Sequence, residues 1–258
     1  MAAVSNASLR TGAVLTDGSV FVGCAGWKLS REFWPGFDDE GTHLEKYASR
    51  LTAVEINSSF YRAHRPATYA RWASSVSGEF RFSVKMPKSI IHENRLQHCE
   101  PLLDLFLAQC GELGSSLGCL LIQLPPSLSY EPKIADDFLA AIRARYSGYL
   151  VIEPRHESWV NAQALLIDHQ VAQAGVDPSR ISNDSVPNGW AGLRYWRLHG
   201  SPKIYYSAYQ QDWLEQLALT VQSETENGIP TWCIFDNTAR DAALGNALDF
   251  TRLLAQSR

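Results

Sequence analysis

The chain has 258 residues, with 23 lysines and arginines against 27 aspartates and glutamates, and its net charge of -4 gives no overall attraction to nucleic acid or an anionic membrane surface. An apolar fraction of 45% and a charged fraction of 19% are those of an ordinary globular protein, and no apolar run is long enough to span a bilayer. The length suits one (β/α)8 barrel and equally two small domains.

Residues 1–19 are small and polar, with one arginine and no continuous apolar stretch; they read as a flexible tail and not as a secretory signal. Residues 20–258 carry no repeat, low-complexity block or linker and read as one domain. Strands are predicted at 20–25, 53–57, 80–85, 119–123, 149–153, 171–176, 195–198 and 231–235 from short apolar runs with period two. Helical spacing is predicted between them at 40–51, 66–76, 101–113 and 132–146, three of which begin at or beside a proline suited to a first turn (Pro66, Pro101, Pro132). Asn161 is expected to cap a short helix through Ile167, and 211–226 and 238–254 supply the last two helices. No helix can be drawn through 177–190, which is rich in Pro, Ser, Asn and Gly and reads as a long loop. Strand and helix in alternation, with eight strands and one exception after the sixth, predict a single TIM-type (β/α)8 barrel of parallel strands.

The five cysteines, Cys24, Cys99, Cys110, Cys119 and Cys233, form no C-x-x-C pair, and three fall inside predicted strands as small core residues. An odd count without metal-type spacing points to a reducing cytoplasm and not to a disulfide framework.

Most strands run into polar or charged residues at their C-termini, the end of a parallel barrel where chemistry is done. Side chains two apart share a face, so Glu55 and Asn57 point one way, as do Ser83 with Lys85, Leu121 with Gln123, Glu153 with Arg155, and Tyr195 with Arg197 and His199. By the same rule Gln173, Gly175 and Asp177 form one set, and Cys233, Phe235 and Asn237 another, with Ile234 opposite. Polar residues are expected inside and above, aliphatic ones outside under the helices. Buried charges must then meet one another or a ligand. Glu55 and Glu153 against Lys85, Arg155 and Arg197 leave a cationic surplus, which suits a carboxylate or other anion.

The motifs Gly23-Cys24-Ala25-Gly26-Trp27, Val54-Glu55-Ile56-Asn57-Ser58-Ser59-Phe60-Tyr61 and Phe82-Ser83-Val84-Lys85-Met86-Pro87 occur in that order. Ile91-His92-Glu93, Gln123-Leu124-Pro125-Pro126, Glu153-Pro154-Arg155-His156-Glu157-Ser158-Trp159, Arg197-Leu198-His199-Gly200 and Phe235-Asp236-Asn237-Thr238 follow. Together they resemble the domain-of-unknown-function 72 family, also called YecE-like, over about residues 20 to 254. The resemblance implies a single TIM-type barrel with no established reaction. The segment after the sixth strand departs from the family pattern in being short and polar.

Glu153 and His199 are the candidate proton carriers, with Lys85, Arg155 and Arg197 holding an anion and Asn57, Gln123 and Asn237 orienting it. Glu55, His92 and Tyr205 complete the expected ligand-binding set, Tyr205 standing with Tyr206 and Tyr209 in a loop after the seventh strand. A metal is not expected: His92, Glu153, Asp177 and His199 lack ligand spacing, and the neighbouring lysine and arginines oppose a cation. No phosphate-binding glycine motif is present, so no cofactor is expected. The sequence thus points to a cofactor-independent hydrolase, lyase or isomerase acting on a small anionic or sugar-like metabolite. A module binding single-stranded nucleic acid or a nucleotide, without turnover, is the rival reading. A cap for the last helix is the expected role of Asp236.

Overall fold

The structure is a computed structural model and describes residues 19–37 and 40–256; the predicted tail, apart from Ser19, lies outside the described residues. Among the described residues ten strands form one sheet: β1 (Val20–Cys24), β2 (Ala53–Ile56), β3 (Arg81–Lys85), β4 (Leu117–Gln123), β5 (Tyr149–Glu153), β6 (Val171–Gln173), β7 (Gly175–Asp177), β8 (Asn188–Gly189), β9 (Arg194–Leu198) and β10 (Thr231–Phe235). Their order is β7-β9-β10-β1-β2-β3-β4-β5-β6-β8, parallel throughout except where β8 returns antiparallel on β6. Only Ala174 separates β6 from β7, so residues 171–177 act as one interrupted strand. Its first half pairs with β5 and its second with β9. That shared segment brings the sheet round into a nearly closed, TIM-like α/β barrel.

Among the described residues seven α-helices cover it: α1 (His43–Ala48), α2 (Pro66–Ser74), α3 (Glu100–Cys110), α4 (Pro132–Arg143), α5 (Gln163–Asp168), α6 (Gln211–Glu226) and α7 (Ala242–Gln256). Proline stands in the first turn of α2, α3 and α4, where its missing N–H costs no helical bond. α1 is shorter than its apolar spacing suggests because a Thr42–Glu45 capping box fixes its start. It is stitched to the barrel by Tyr47, whose hydroxyl accepts from Cys24 N at 2.7 Å and donates to Ala53 O at 2.9 Å. Asn161 does not cap α5. A 3-10 turn at Glu157–Ala162 precedes that helix, and the Asn161 amide instead donates to Ser158 O.

Within 177–190, the segment between β7 and β8 is a loop, as expected, and takes the place of a sixth barrel helix, while Asn188–Gly189 adds the short strand β8. The buried Asp184 organises it: Ser179 Oγ and the backbone N–H groups of Arg180 and Ile181 donate to its carboxylate, and its carbonyl accepts from Val176 N.

Two buried apolar layers follow the alternation of side chains. Val22, Val54, Ile56, Val84, Leu120, Ile122, Leu150, Ile152, Leu198, Cys233 and Phe235 pack outward under the helices. Phe21, Ala53, Cys119, Leu121, Val151, Tyr195, Trp232 and Ile234 fill the barrel interior. Trp232 forms its floor, stacked 5.8 Å from Tyr195 and lying 4.9 Å from Phe21. Gly118 makes room for it, since a Cβ there would sit 2.4 Å from the indole.

Two strands adopt the opposite register to that predicted. In the sixth, Ala172, Ala174 and Val176 face inward. Gln173 points outward, accepting a bond from Gln163 Nε2 of α5 at 2.6 Å. In β10, Trp232 and Ile234 face inward and Cys233 and Phe235 outward. The parity then carries Asp236 into the barrel and Asn237 away from it.

Candidate ligand site at the barrel mouth

Above the apolar floor the interior turns polar at the strand C-termini, and Arg197 is its hub. The side chain projects inward from β9 and is fully buried. Its Nε and Nη2 donate to the two oxygens of Glu55 at 3.0 and 2.7 Å, a bidentate fork. Nη1 donates to Glu153 Oε2, and Nη2 also reaches Asp236 Oδ2 at 3.1 Å. Beneath it the Tyr195 hydroxyl bridges Glu55 Oε2 and Ser83 Oγ, at 3.0 and 2.8 Å. A guanidinium buried alone would be strongly unfavourable; three carboxylates from β2, β5 and the end of β10 stabilise it.

Glu153 is saturated. Its Oε1 accepts from Gln123 Nε2 at 2.9 Å and Arg155 Nε at 2.8 Å, while Oε2 is taken by Arg197. Burial would raise its pKa, but Arg197, His199 and Arg155 outweigh that and hold it well below the usual carboxylate range. Asp236 is likewise kept ionised against its burial, by Arg197 and His199.

His199 is fully buried, its Nδ1 3.0 Å from Asp236 Oδ2. Its Nε2 has no hydrogen-bond partner and lies 3.6 Å from Glu153 Oε1. Burial disfavours the imidazolium, yet the pull of Glu153 and the bond to Asp236 raise its pKa above the ordinary 6.5. The ring packs edge-on against Tyr205.

Lys85 closes the opposite side of the mouth. It is the last residue of β3, 6% exposed, and its ammonium lies 4.4 Å from the centre of the Phe60 ring. Ser59 holds that arrangement, its Oγ within 2.7 Å of Ile56 O and 2.6 Å of Lys85 O. No carboxylate among the described residues pairs with Lys85. Burial, reinforced by the charge of Arg197, lowers its pKa to about 8 in spite of the surrounding acids. His92 packs edge-on against the other edge of this cluster, 4.8 Å from Phe60, with Nδ1 unpartnered. Burial and the charges of Lys85 and Arg155 lower its pKa, leaving it neutral at pH 7. Asn57 Oδ1 is also buried without a partner.

Residues 21–258 match the family described as "Protein of unknown function DUF72". The chain belongs to that family. Over 84 residues it is 36% identical to the UPF0759 protein YecE of Escherichia coli (strain K12), a match covering 33% of this chain and 31% of that protein. The matched stretch is thus about a third of that relative's length. Crystal structures of DUF72 proteins share the fold. One from Enterococcus faecalis V583 superposes with a TM-score of 0.77 at 21% identity, over 92% of this chain and 96% of that one. One from Thermotoga maritima MSB8 gives 0.76 at 23% identity, over 92% and 99%.

In this DUF72 barrel, Glu55, Lys85, Gln123, Glu153, Arg155, Arg197 and His199 converge at the mouth, joined by Asn57, His92 and Tyr205 at its rim. Arg155 Nη2 reaches the Tyr205 hydroxyl at 3.4 Å. Asn237 does not join them. Its amide donates to Ser207 O and Asn246 Oδ1, both at 2.9 Å, tying the loop after β9 to α7. Asp236, expected as a cap, stands in the cluster instead. With it the mouth holds three carboxylates against Lys85, Arg155 and Arg197, so the expected cationic surplus exists only when His199 is protonated. The place of Asp236 follows from the inward parity of Trp232 and Ile234, which the residues of β10 do not themselves mark. All five cysteines are free and buried, and burial pushes Cys24 and Cys110 up to about 12, which removes them as nucleophiles near neutral pH.

Proposed function

We propose that the mouth binds a small oxyanion-bearing metabolite and that His199 moves a proton during its turnover, without a cofactor. One observation carries the reading: Lys85 is buried with no anionic partner, while all three nearby carboxylates are bonded to Arg197. A desolvated cation left unpaired is costly, and a ligand carboxylate or phosphate between Lys85 and Arg155 would offset that cost. His199, with Nδ1 oriented by Asp236 and Nε2 making no hydrogen bond, is the acid–base group. Glu153, saturated and ionised, orients Arg155, Gln123 and Arg197 and exchanges no proton. The reaction classes this suits are lyase, isomerase and hydrolase chemistry. Five free cysteines fit a reducing compartment such as the cytoplasm, and no described helix is long and apolar enough to cross a membrane.

Titration with inorganic phosphate and simple carboxylates tests the reading. Saturable binding should weaken about tenfold or more in Arg155→Ala, roughly 1.4 kcal/mol. Absence of binding in the parent protein would overturn it.

A second reading rests on the lip of the mouth. Lys203 Nζ lies 4.3 Å over the half-exposed Tyr206 ring and the Arg240 guanidinium 5.8 Å from it, a basic–aromatic patch on which a nucleobase could stack. Binding of single-stranded oligonucleotides that falls steeply with salt and is lost in Tyr206→Ala would favour it.

A further inference from the structure

We propose that Lys85 is a nucleophilic amine that forms a covalent imine with a 2-oxo acid or a similar anion-bearing carbonyl compound. The inference rests on the oxyanion reading above and names the substrate class of that same mouth. Three features of the geometry carry it.

The amine is isolated at the right place. It emerges from the C-terminal end of a central barrel strand, packed over Phe60, and no carboxylate fixes it in the ammonium form. Burial without a carboxylate partner, with the Arg197 guanidinium nearby, is the setting in which a lysine amine is activated. The lowered affinity of Lys85 for its proton accords with that setting.

An acid–base partner with a free atom stands beside it. His92 shares the Phe60 ring with Lys85 and keeps Nδ1 unpartnered. Arg155, held by Glu153 Oε1 at 2.8 Å, stands near enough to His92 to disfavour its charge and supplies a guanidinium for the substrate carboxylate.

The step balances without an oxidant or reductant. Neutral Lys85 Nζ gives its electron pair to the carbonyl carbon and forms the C–N bond, while the π pair moves to oxygen, which takes a proton. His92 accepts the proton that nitrogen sheds. Breaking the C–O bond with a second protonation releases water and leaves the iminium. In sum, amine, carbonyl and one proton give iminium and water. The iminium then draws electrons from the adjacent carbon, so proton abstraction or C–C cleavage there becomes accessible.

Borohydride reduction in the presence of pyruvate or glyoxylate, followed by intact-mass measurement and peptide mapping, tests the proposal. One reduced adduct per chain on Lys85 is expected, increasing from about pH 7 to about pH 9 as the amine loses its proton. It should be absent from Lys85→Met and Lys85→Arg, and at least about tenfold weaker with acetone, which lacks the anion. Folding of both variants is checked by thermal unfolding, Lys85→Arg preserving the charge. Phosphate binding without any Lys85 adduct would overturn the imine and leave the oxyanion reading standing. Loss of both would overturn the two together. Labelling of Lys85 no stronger than that of exposed lysines such as Lys28 and Lys133 would also overturn it.

Discussion

Replacing Lys85 with methionine should stabilise the protein at neutral pH. The pKa of this group falls from 10.5 to about 8 on folding, about 2.5 pKa units, or about 3 kcal/mol of bias against the buried ammonium. Methionine keeps the length and apolar stem without the charge. The contact of the ammonium with Phe60 is lost, which offsets roughly 1 kcal/mol. The net gain at pH 7 is therefore about 2 kcal/mol. Below about pH 8 both folded and unfolded chains hold the proton, and the cost of burying it is fully present in the parent. Between about 8 and 10.5 the unfolded chain binds a proton that the folded chain does not, so the parent's stability rises with pH and the advantage of the variant shrinks. Denaturant unfolding of both proteins at pH 7 and near pH 10, with unchanged m-values, measures this. A variant less stable at pH 7, or a difference independent of pH, would refute the reasoning. A residue whose removal stabilises the fold is retained for what it does, a common trade at functional sites.

Removing the hub acts in the opposite direction: Arg197→Leu leaves three buried carboxylates without their cation and should cost about 3–5 kcal/mol in denaturant unfolding, and a loss under about 1 kcal/mol would contradict the assignment. His199 binds its proton more tightly folded than unfolded, so its contribution to stability is fully present below about pH 6.5 and disappears as pH rises through its raised value. Asp236→Asn should lower that pKa, read by NMR titration of the imidazole, and an unchanged titration would separate His199 from Asp236. Asn237→Ala removes a buried tether and should cost about 1–3 kcal/mol, with phosphate affinity changed less than about twofold.

The strands were legible because each combines a short apolar run with a polar end, and a parallel barrel requires both. Parity could be read wherever a strand carried its own polar marker, as with Glu55 in β2, Ser83 and Lys85 in β3, and Arg197 in β9. Beyond Thr231 at its start β10 carries no such marker, since Trp232, Cys233, Ile234 and Phe235 are all apolar. What decides its register is the space over Gly118 that admits an indole, a tertiary fact without a local signature. The sixth strand misleads in the other sense: Gln173 looks like an inward polar residue until Gln163 of α5 offers it a partner outside. Helix starts set by proline were readable, whereas the start of α5 depended on a 3-10 turn that no spacing announced.

The Arg197 cluster also has a temporal side. Its partners come from positions 55, 153 and 236, separated by 142, 44 and 39 residues from the arginine. Contacts of such sequence separation form late, because long loops must close first. The mouth therefore cannot assemble until β10 docks against both β9 and β1. Recovery of ligand binding during refolding should trail recovery of helical signal, making the charge cluster an internal reporter of the barrel's final closure.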